Sequence, residues 1–247
     1  MANPKLLITA GCSFSTVPNE HVTWPVNLNR YINPKTNLYL GQGAAGNGII
    51  SRRVIYNVTE QLKKFKPEEI LVGIMWSSYS RHEVYSPEPI PHDPQDCGPT
   101  HSNPTSVAKN KNFYLFNIHR TDELNINYYK NFYNDVHASM ITMEHILRVQ
   151  WFLKLHNIKY FMAEYSHDTL PTQDYPHITK ILADPDVKYL YDLIDRDHWL
   201  PITNMQEFSN NSGYPYNPGD IHPTTEHHKH FTDTVIIPYL KNKGYID

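Results

Sequence analysis

Three short blocks in this sequence combine residue types that polar chemistry uses. Gly11-Cys12-Ser13-Phe14-Ser15 places a hydroxyl directly after the apolar run 5–9 (KLLIT). Such a run reads as a buried strand ending at a turn. A serine there is presented at the sheet edge, with its own N–H facing the place where an oxyanion would form. Small residues after a strand also serve simply as turn or cap residues. Gly43-Ala44-Ala45-Gly46-Asn47-Gly48 follows a second candidate strand, 37–40, and opens a helix. Its glycines let backbone approach a ligand, and N–H groups at a helix start favour negative charge. Near the C-terminus stands Gly219-Asp220-Ile221-His222-Pro223. A carboxylate close to a histidine fixes the ring's tautomer and stabilises its protonated form, which suits a general base. An aspartate turn beside a surface histidine gives the same pattern without chemistry.

The elements between these blocks decide whether they meet. Residues 24–32 form a short helix. Asn47 is a good N-cap for a helix in which Ile49, Ile50, Val54, Val58, Leu62 and Phe65 recur at helical spacing until Lys66-Pro67. The continuous apolar run 70–76 (ILVGIMW) reads as a central parallel strand buried on both faces. An amphipathic helix over 131–156, a strand at 159–163, a further short strand at 187–190 and a C-terminal helix over 224–240 complete the pattern. Strands alternating with helices imply a parallel sheet covered on both faces, with ligands beyond the carboxyl ends of its strands. All three blocks fall there, which is the arrangement acyl transfer requires. Residues 83–127, rich in Pro, His and Asn and without sustained periodicity, read as an irregular insertion after the third strand and a candidate lid.

Composition narrows the function classes. A chain of 247 residues with 40% hydrophobic residues is sized for one domain, 1–247, with a real core. A net charge of −3 gives no footprint for a phosphate backbone, so neither nucleic acid nor a membrane surface is an expected partner. Two cysteines, no secretory signal and no apolar run long enough to span a bilayer point to a soluble, cytoplasmic protein. The 15 histidines invite a metal reading, with His92, Asp93, Asp96, Cys97 and His101 in the insertion and His227, His228 and His230 in the last helix. Neither group has the paired spacing of a committed zinc site, and no cofactor or metal is expected. Gly41, Gly43 and Gly46 fit G-x-G-x-x-G, but the segment follows the second strand and Glu60 falls mid-helix, against dinucleotide binding.

Together the blocks resemble the SGNH (GDSL-type) hydrolases, whose nucleophilic serine follows the first strand, whose oxyanion glycine and asparagine follow the second and third, and whose D-x-x-H pair lies near the C-terminus. GCSF resembles the first motif, with Ser13 as nucleophile; small phage-encoded members often carry GCSF. AAGNG resembles the second, with Gly46 as donor and Asn47 beside it. GDIHP resembles the last, with Asp220 and His222, and HPTTEHHKHF resembles the helix after the base. The resemblance spans nearly the whole chain. It implies a three-layer α/β/α fold with a flavodoxin-like parallel sheet and a serine esterase that hydrolyses a small-molecule or glycan ester, removal of acetyl groups being the favoured case. Three departures stand out: Cys12 in place of the motif aspartate, Ser77 in place of the third-block asparagine, and Asp-x-His spacing. Losing an oxyanion donor typically costs about 10²-fold or more in rate. Arg81, one helical turn after Ser77, is a candidate partner for an acidic substrate group. Cys12 is an alternative nucleophile. A non-catalytic carbohydrate-binding or virion-associated protein on the same fold is the competing function.

Overall fold

A computed structural model describes residues 3–17, 22–85, 113–170 and 180–247. The strands among them are β1 (Leu6–Gly11), β2 (Thr36–Tyr39), β3 (Ile70–Trp76), β4 (His82–Tyr85), β5 (Phe113–Phe116) and β6 (Lys159–Glu164). The helices are α1 (Trp24–Ile32), α2 (Asn47–Gln61), α3 (Glu123–Asn131), α4 (Asp135–Leu155), α5 (Pro185–Asp192), α6 (Met205–Asn210), α7 (Thr225–Phe231) and α8 (Ile237–Asn242). Four strands build a wholly parallel sheet in the order β2-β1-β3-β6, the beginning of the flavodoxin-like order. The register aligns Gly11 with Met75 and Trp76 with Glu164, so the chain leaves β1, β3 and β6 at one level.

β1 and β3 are buried along their whole length, as their largely apolar sequences require. On one face Ile8, Val72, Ile74 and Met162 meet Ile50 and Val54 of α2 and Met143 and Ile146 of α4. On the other, Leu7, Leu71 and Phe161 meet Trp24 and Leu28 of α1 and Phe231, Ile236 and Leu240 of the C-terminal helices. The molecule is therefore a three-layer α/β/α protein. Burial of each such side chain contributes about 1.5–3 kcal/mol, so stability resides in the layers and the carboxyl edge of the sheet is left for chemistry. Among the described residues no helix is long and apolar enough to cross a membrane.

Several expectations are corrected. Asn47 is not the N-cap of α2; Gly46 caps it, and the buried Asn47 amide serves elsewhere. The stretch 187–190 is not a strand but lies in α5, because Asp184 accepts from the N–H groups of Asp186 and Val187 and Pro185 takes the first helical position, a strong helix start. Beside β6, among the described residues, the place of a fifth strand holds a single bridge between Met162 and Trp199. The helix expected over 131–156 begins at Asp135, where Asn134 caps it. The insertion is less irregular than its composition suggests: β4 pairs antiparallel with β5, and α3 follows, capped by Asp122. Residues 86–112, with His92, Asp93, Asp96, Cys97 and His101, lie outside the described residues. The C-terminal helix runs through a π turn, Thr232–Ile236. Pro238 explains the turn, since it cannot donate to the carbonyl four residues back and its ring crowds that turn.

Candidate active site

Ser13 sits in a turn whose other members are locked. β1 ends at Gly11, Cys12 caps the 3₁₀ turn Ser13–Ser15, and the Ser15 N–H donates to the Cys12 carbonyl at 2.9 Å. Thr16 Oγ1 donates to the Ser13 carbonyl at 2.9 Å, and the buried Trp24 Nε1 donates to Ser15 Oγ at 3.0 Å. Cys12, Phe14 and Ser15 are buried, leaving Ser13 as the half-exposed member.

The base arrives on the loop before α7. Asp220 Oδ1 accepts the His222 backbone N–H at 2.9 Å, an Asx turn, and the same oxygen contacts His222 Nδ1 at 2.6 Å. The Asp-x-His spacing thus works through the aspartate's own turn, which folds the imidazole back onto its carboxylate. An ionised carboxylate only accepts, so Nδ1 carries the ring proton and Nε2 is left as acceptor. His222 Nε2 lies 2.9 Å from Ser13 Oγ, whose hydroxyl therefore donates to it. Burial works against the Asp220 charge, but the His222 backbone and ring hydrogen bonds outweigh it and hold the carboxyl below its usual range. The pair is open to solvent, with His222 and Asp220 side chains 47% and 44% exposed. His227, among the histidines considered for a metal, pins this loop instead: its Nδ1 accepts from the Thr224 N–H at 2.9 Å and its Nε2 donates to the Tyr214 carbonyl at 3.0 Å.

The second and third blocks behave differently. Asn47 is buried and ties two strand ends together, donating to the Ser77 carbonyl at 2.9 Å and accepting from the Ser77 N–H at 2.7 Å. Ser77 follows β3 as expected, yet it is fully buried. Its hydroxyl accepts from Arg81 Nη1 at 3.0 Å. Gly46 is also buried, and a Cβ there would meet Glu83 Oε2 at 2.5 Å and the Arg81 carbonyl at 2.7 Å. Of these four residues Arg81 alone is half-exposed.

Other residues entered without warning from their motifs. The Glu83 side chain, 4% exposed, sits at the N-terminus of α2, where it bonds the Ile49 N–H and accepts from Arg52 Nη2 at 2.9 Å. Burial pushes its carboxyl up, against the pull of Arg52. Gly46 and Gly48 open a helix whose cap residue has no side chain, which marks a place for an outside anion without naming Glu83. The Tyr165 ring meets Phe14 edge-on at 5.1 Å, and Phe14 lies 5.4 Å from the His222 ring, so the strand end after β6 contributes to the same corner.

A separate cleft of about 600 Å³ opens past β6, lined by Ala163, Glu164, Arg196, Trp199, Leu200 and Ile202 among others. Burial pushes the Glu164 carboxyl up to about 7, although Arg196, 3.5 Å away, favours its charge. The folded chain holds this proton up to about pH 7, whereas the ordinary glutamate value is 4.5. The Glu164 contribution to stability is therefore complete below pH 4.5 and lost as pH rises to 7. Glu164→Gln lacks that dependence, so its stability relative to wild type should rise by about 3 kcal/mol between pH 4 and pH 8 in urea unfolding. A difference flat with pH would show that Glu164 titrates in the fold as it does in the unfolded chain.

Among the described residues no group of three or more His, Cys, Asp or Glu side chains could hold a metal ion. Fold and site together define a three-layer α/β protein with Ser13, His222 and Asp220 in one chain of contacts beyond the carboxyl edge of its sheet. The chain belongs to a family of unknown function, DUF6071, which it matches over residues 15–242, a span that includes Asp220 and His222 and begins two residues after Ser13. No curated protein matches it.

Proposed function

We propose that this protein is a serine hydrolase of the SGNH type that cleaves a carboxylic ester through an acyl-enzyme. The observation that carries this reading is the continuous contact from Asp220 through His222 to Ser13, at 2.6 and 2.9 Å, beyond the carboxyl ends of parallel strands. Ser13 Oγ attacks the acyl carbon while its proton passes to His222 Nε2. The imidazolium, held by Asp220, then protonates the departing alcohol, and water releases the acyl group by the same steps. A net charge of −3 favours a small-molecule or glycan ester over nucleic acid. Acetylated sugars are the favoured class and a reducing, cytoplasmic setting the favoured place.

A panel of nitrophenyl esters and acetylated sugars, with fluorophosphonate labelling read by peptide mass spectrometry, tests the reading. Turnover together with a label on Ser13 is expected. A label on Cys12 would transfer the nucleophile role, and sugar binding without turnover or label would favour the carbohydrate-binding alternative. Asp220→Asn should lower kcat by roughly 10³- to 10⁴-fold at near-wild-type stability, because an amide partner stabilises the wrong tautomer. An Asn variant within a few-fold of wild type would remove Asp220 from the relay.

A further inference from the structure

We propose that the Arg81 guanidinium supplies the charge that stabilises the oxyanion formed on Ser13, with Ser77 as the positioning residue that holds it; this rests on the hydrolase reading. Position argues for it first. The β1–β3 register pairs Gly11 with Met75, so the chain leaves these adjacent strands at one level, with Ser13 and Ser77 each two residues beyond that pair. Arg81 reaches back to Ser77 Oγ at 3.0 Å and has Cys12, the residue before Ser13, among the groups around it. Its Cζ lies 5.2 Å from the centroid of the Tyr165 ring, whose edge contact with Phe14 leads to His222. Guanidinium and imidazole thus bear on one aromatic pair.

Access argues for it second. Ser77 is closed to solvent at 0% exposure, so its hydroxyl cannot meet a substrate, whereas Arg81 is half-exposed. A guanidinium has five N–H donors, and among the described residues the Ser77 hydrogen bond engages only part of that fork. Burial opposes the Arg81 charge, but Cys12, Tyr165 and Asp168 around it prevail and raise its pKa, so the cation persists.

The chemistry is consistent with this placement. When Ser13 Oγ bonds to the acyl carbon, the carbonyl π pair moves onto oxygen and the serine proton moves to His222. Collapse restores the C=O bond and expels the alcohol, which takes that proton. A fixed cation beside the transient negative oxygen acts only while the charge exists, and in a partly desolvated corner it is worth more than in water.

The test measures kcat and KM on a neutral nitrophenyl acetate for wild type, Arg81→Gln, Arg81→Lys and Ser77→Ala, with fluorophosphonate labelling and an unfolding midpoint for each. Arg81→Gln should lose about 10²- to 10³-fold in kcat with KM little changed, and Arg81→Lys should recover part of that. Ser77→Ala, which keeps the charge but frees it, should lose about 10-fold, and the double variant should be no slower than Arg81→Gln. Wild-type kcat in Arg81→Gln overturns the assignment, including when only KM for an acidic ester rises, since the guanidinium would then bind substrate. If Arg81→Gln fails to fold, Ser77→Ala decides, and unchanged kcat there overturns the proposal. A wild type that neither labels nor turns over removes the hydrolase reading and this assignment with it; an active wild type beside an unaffected Arg81→Gln removes this assignment alone.

Discussion

Ser13→Ala and His222→Ala should each lower kcat on a short neutral ester by about 10⁴- to 10⁶-fold, and Ser13→Ala should abolish fluorophosphonate labelling. The size follows from the linkage of the two side chains. Ser13 Oγ donates to His222 Nε2 at 2.9 Å, so either loss leaves the other without its proton-transfer partner. The double variant should then be hardly worse than either single one, as for residues that act as a unit. Stability should scarcely move. Ser13 is half-exposed and the His222 side chain 47% exposed, so surface-type changes within about 0.5 kcal/mol are expected, or about 1–2 °C in the unfolding midpoint. Activity retained in either variant would sink the proposed mechanism, and a large drop in midpoint would show that the effect on rate came through the fold.

Gly41→Ala should have the opposite character, injuring the fold and the site together. A Cβ on Gly41 would fall 2.1 Å from the Ser15 carbonyl oxygen and 2.5 Å from its carbon. Those are backbone atoms of the turn that presents Ser13, held by Trp24 Nε1 on Ser15 Oγ and by Thr16 on the Ser13 carbonyl. No side chain can swing away to make room. Overpacking of this kind costs about 3 kcal/mol, hence a fall of about 6–12 °C in midpoint for a chain of this size. The turn must also shift, so kcat should fall even in the protein that remains folded at low temperature, because misplacement by about 1 Å is enough to cost 10²-fold. A Gly41→Ala protein with wild-type midpoint and rate would show that this contact yields freely.

Much of the frame is legible in the residues, and the reasons differ by element. β1 and β3 announce themselves because a strand buried on both faces must be largely apolar, as the Leu6-Leu7-Ile8 stretch and ILVGIMW are. The α2 pattern is plain from spacing, but its cap is not: asparagine next to glycine invites an N-cap assignment, while the tertiary need to join β3 to α2 drew Asn47 inward to Ser77. Residues 187–190 (VKYL) misled because a four-residue stretch has no distinguishable period; the helix start at Asp184-Pro185 was the stronger signal. In the site, Ser13, Asp220 and His222 could be named because their motifs are local. Glu83, Phe14 and Tyr165 could not, since what matters about each is a neighbour distant in sequence or on another strand end. Ser77 was placed correctly along the chain, but burial is a property of the packed layers, and no motif reports it.

Glu83 alters the meaning of the glycine block it touches. Gly46 and Gly48 look like a cradle awaiting a phosphate, yet the cradle holds the chain's own carboxylate, with Glu83 Oε1 at 2.0 Å from where a Gly48 Cβ would stand. An incoming phosphate would have to evict a buried anion and break its ion pair with Arg52. The helix dipole is thereby turned from recruiting a ligand to fastening β4, the first strand of the insertion, against the body of the protein. The glycines at 46 and 48 and the glutamate at 83 consequently form one steric unit: a larger residue in the helix start is compatible only with a shorter side chain on the strand.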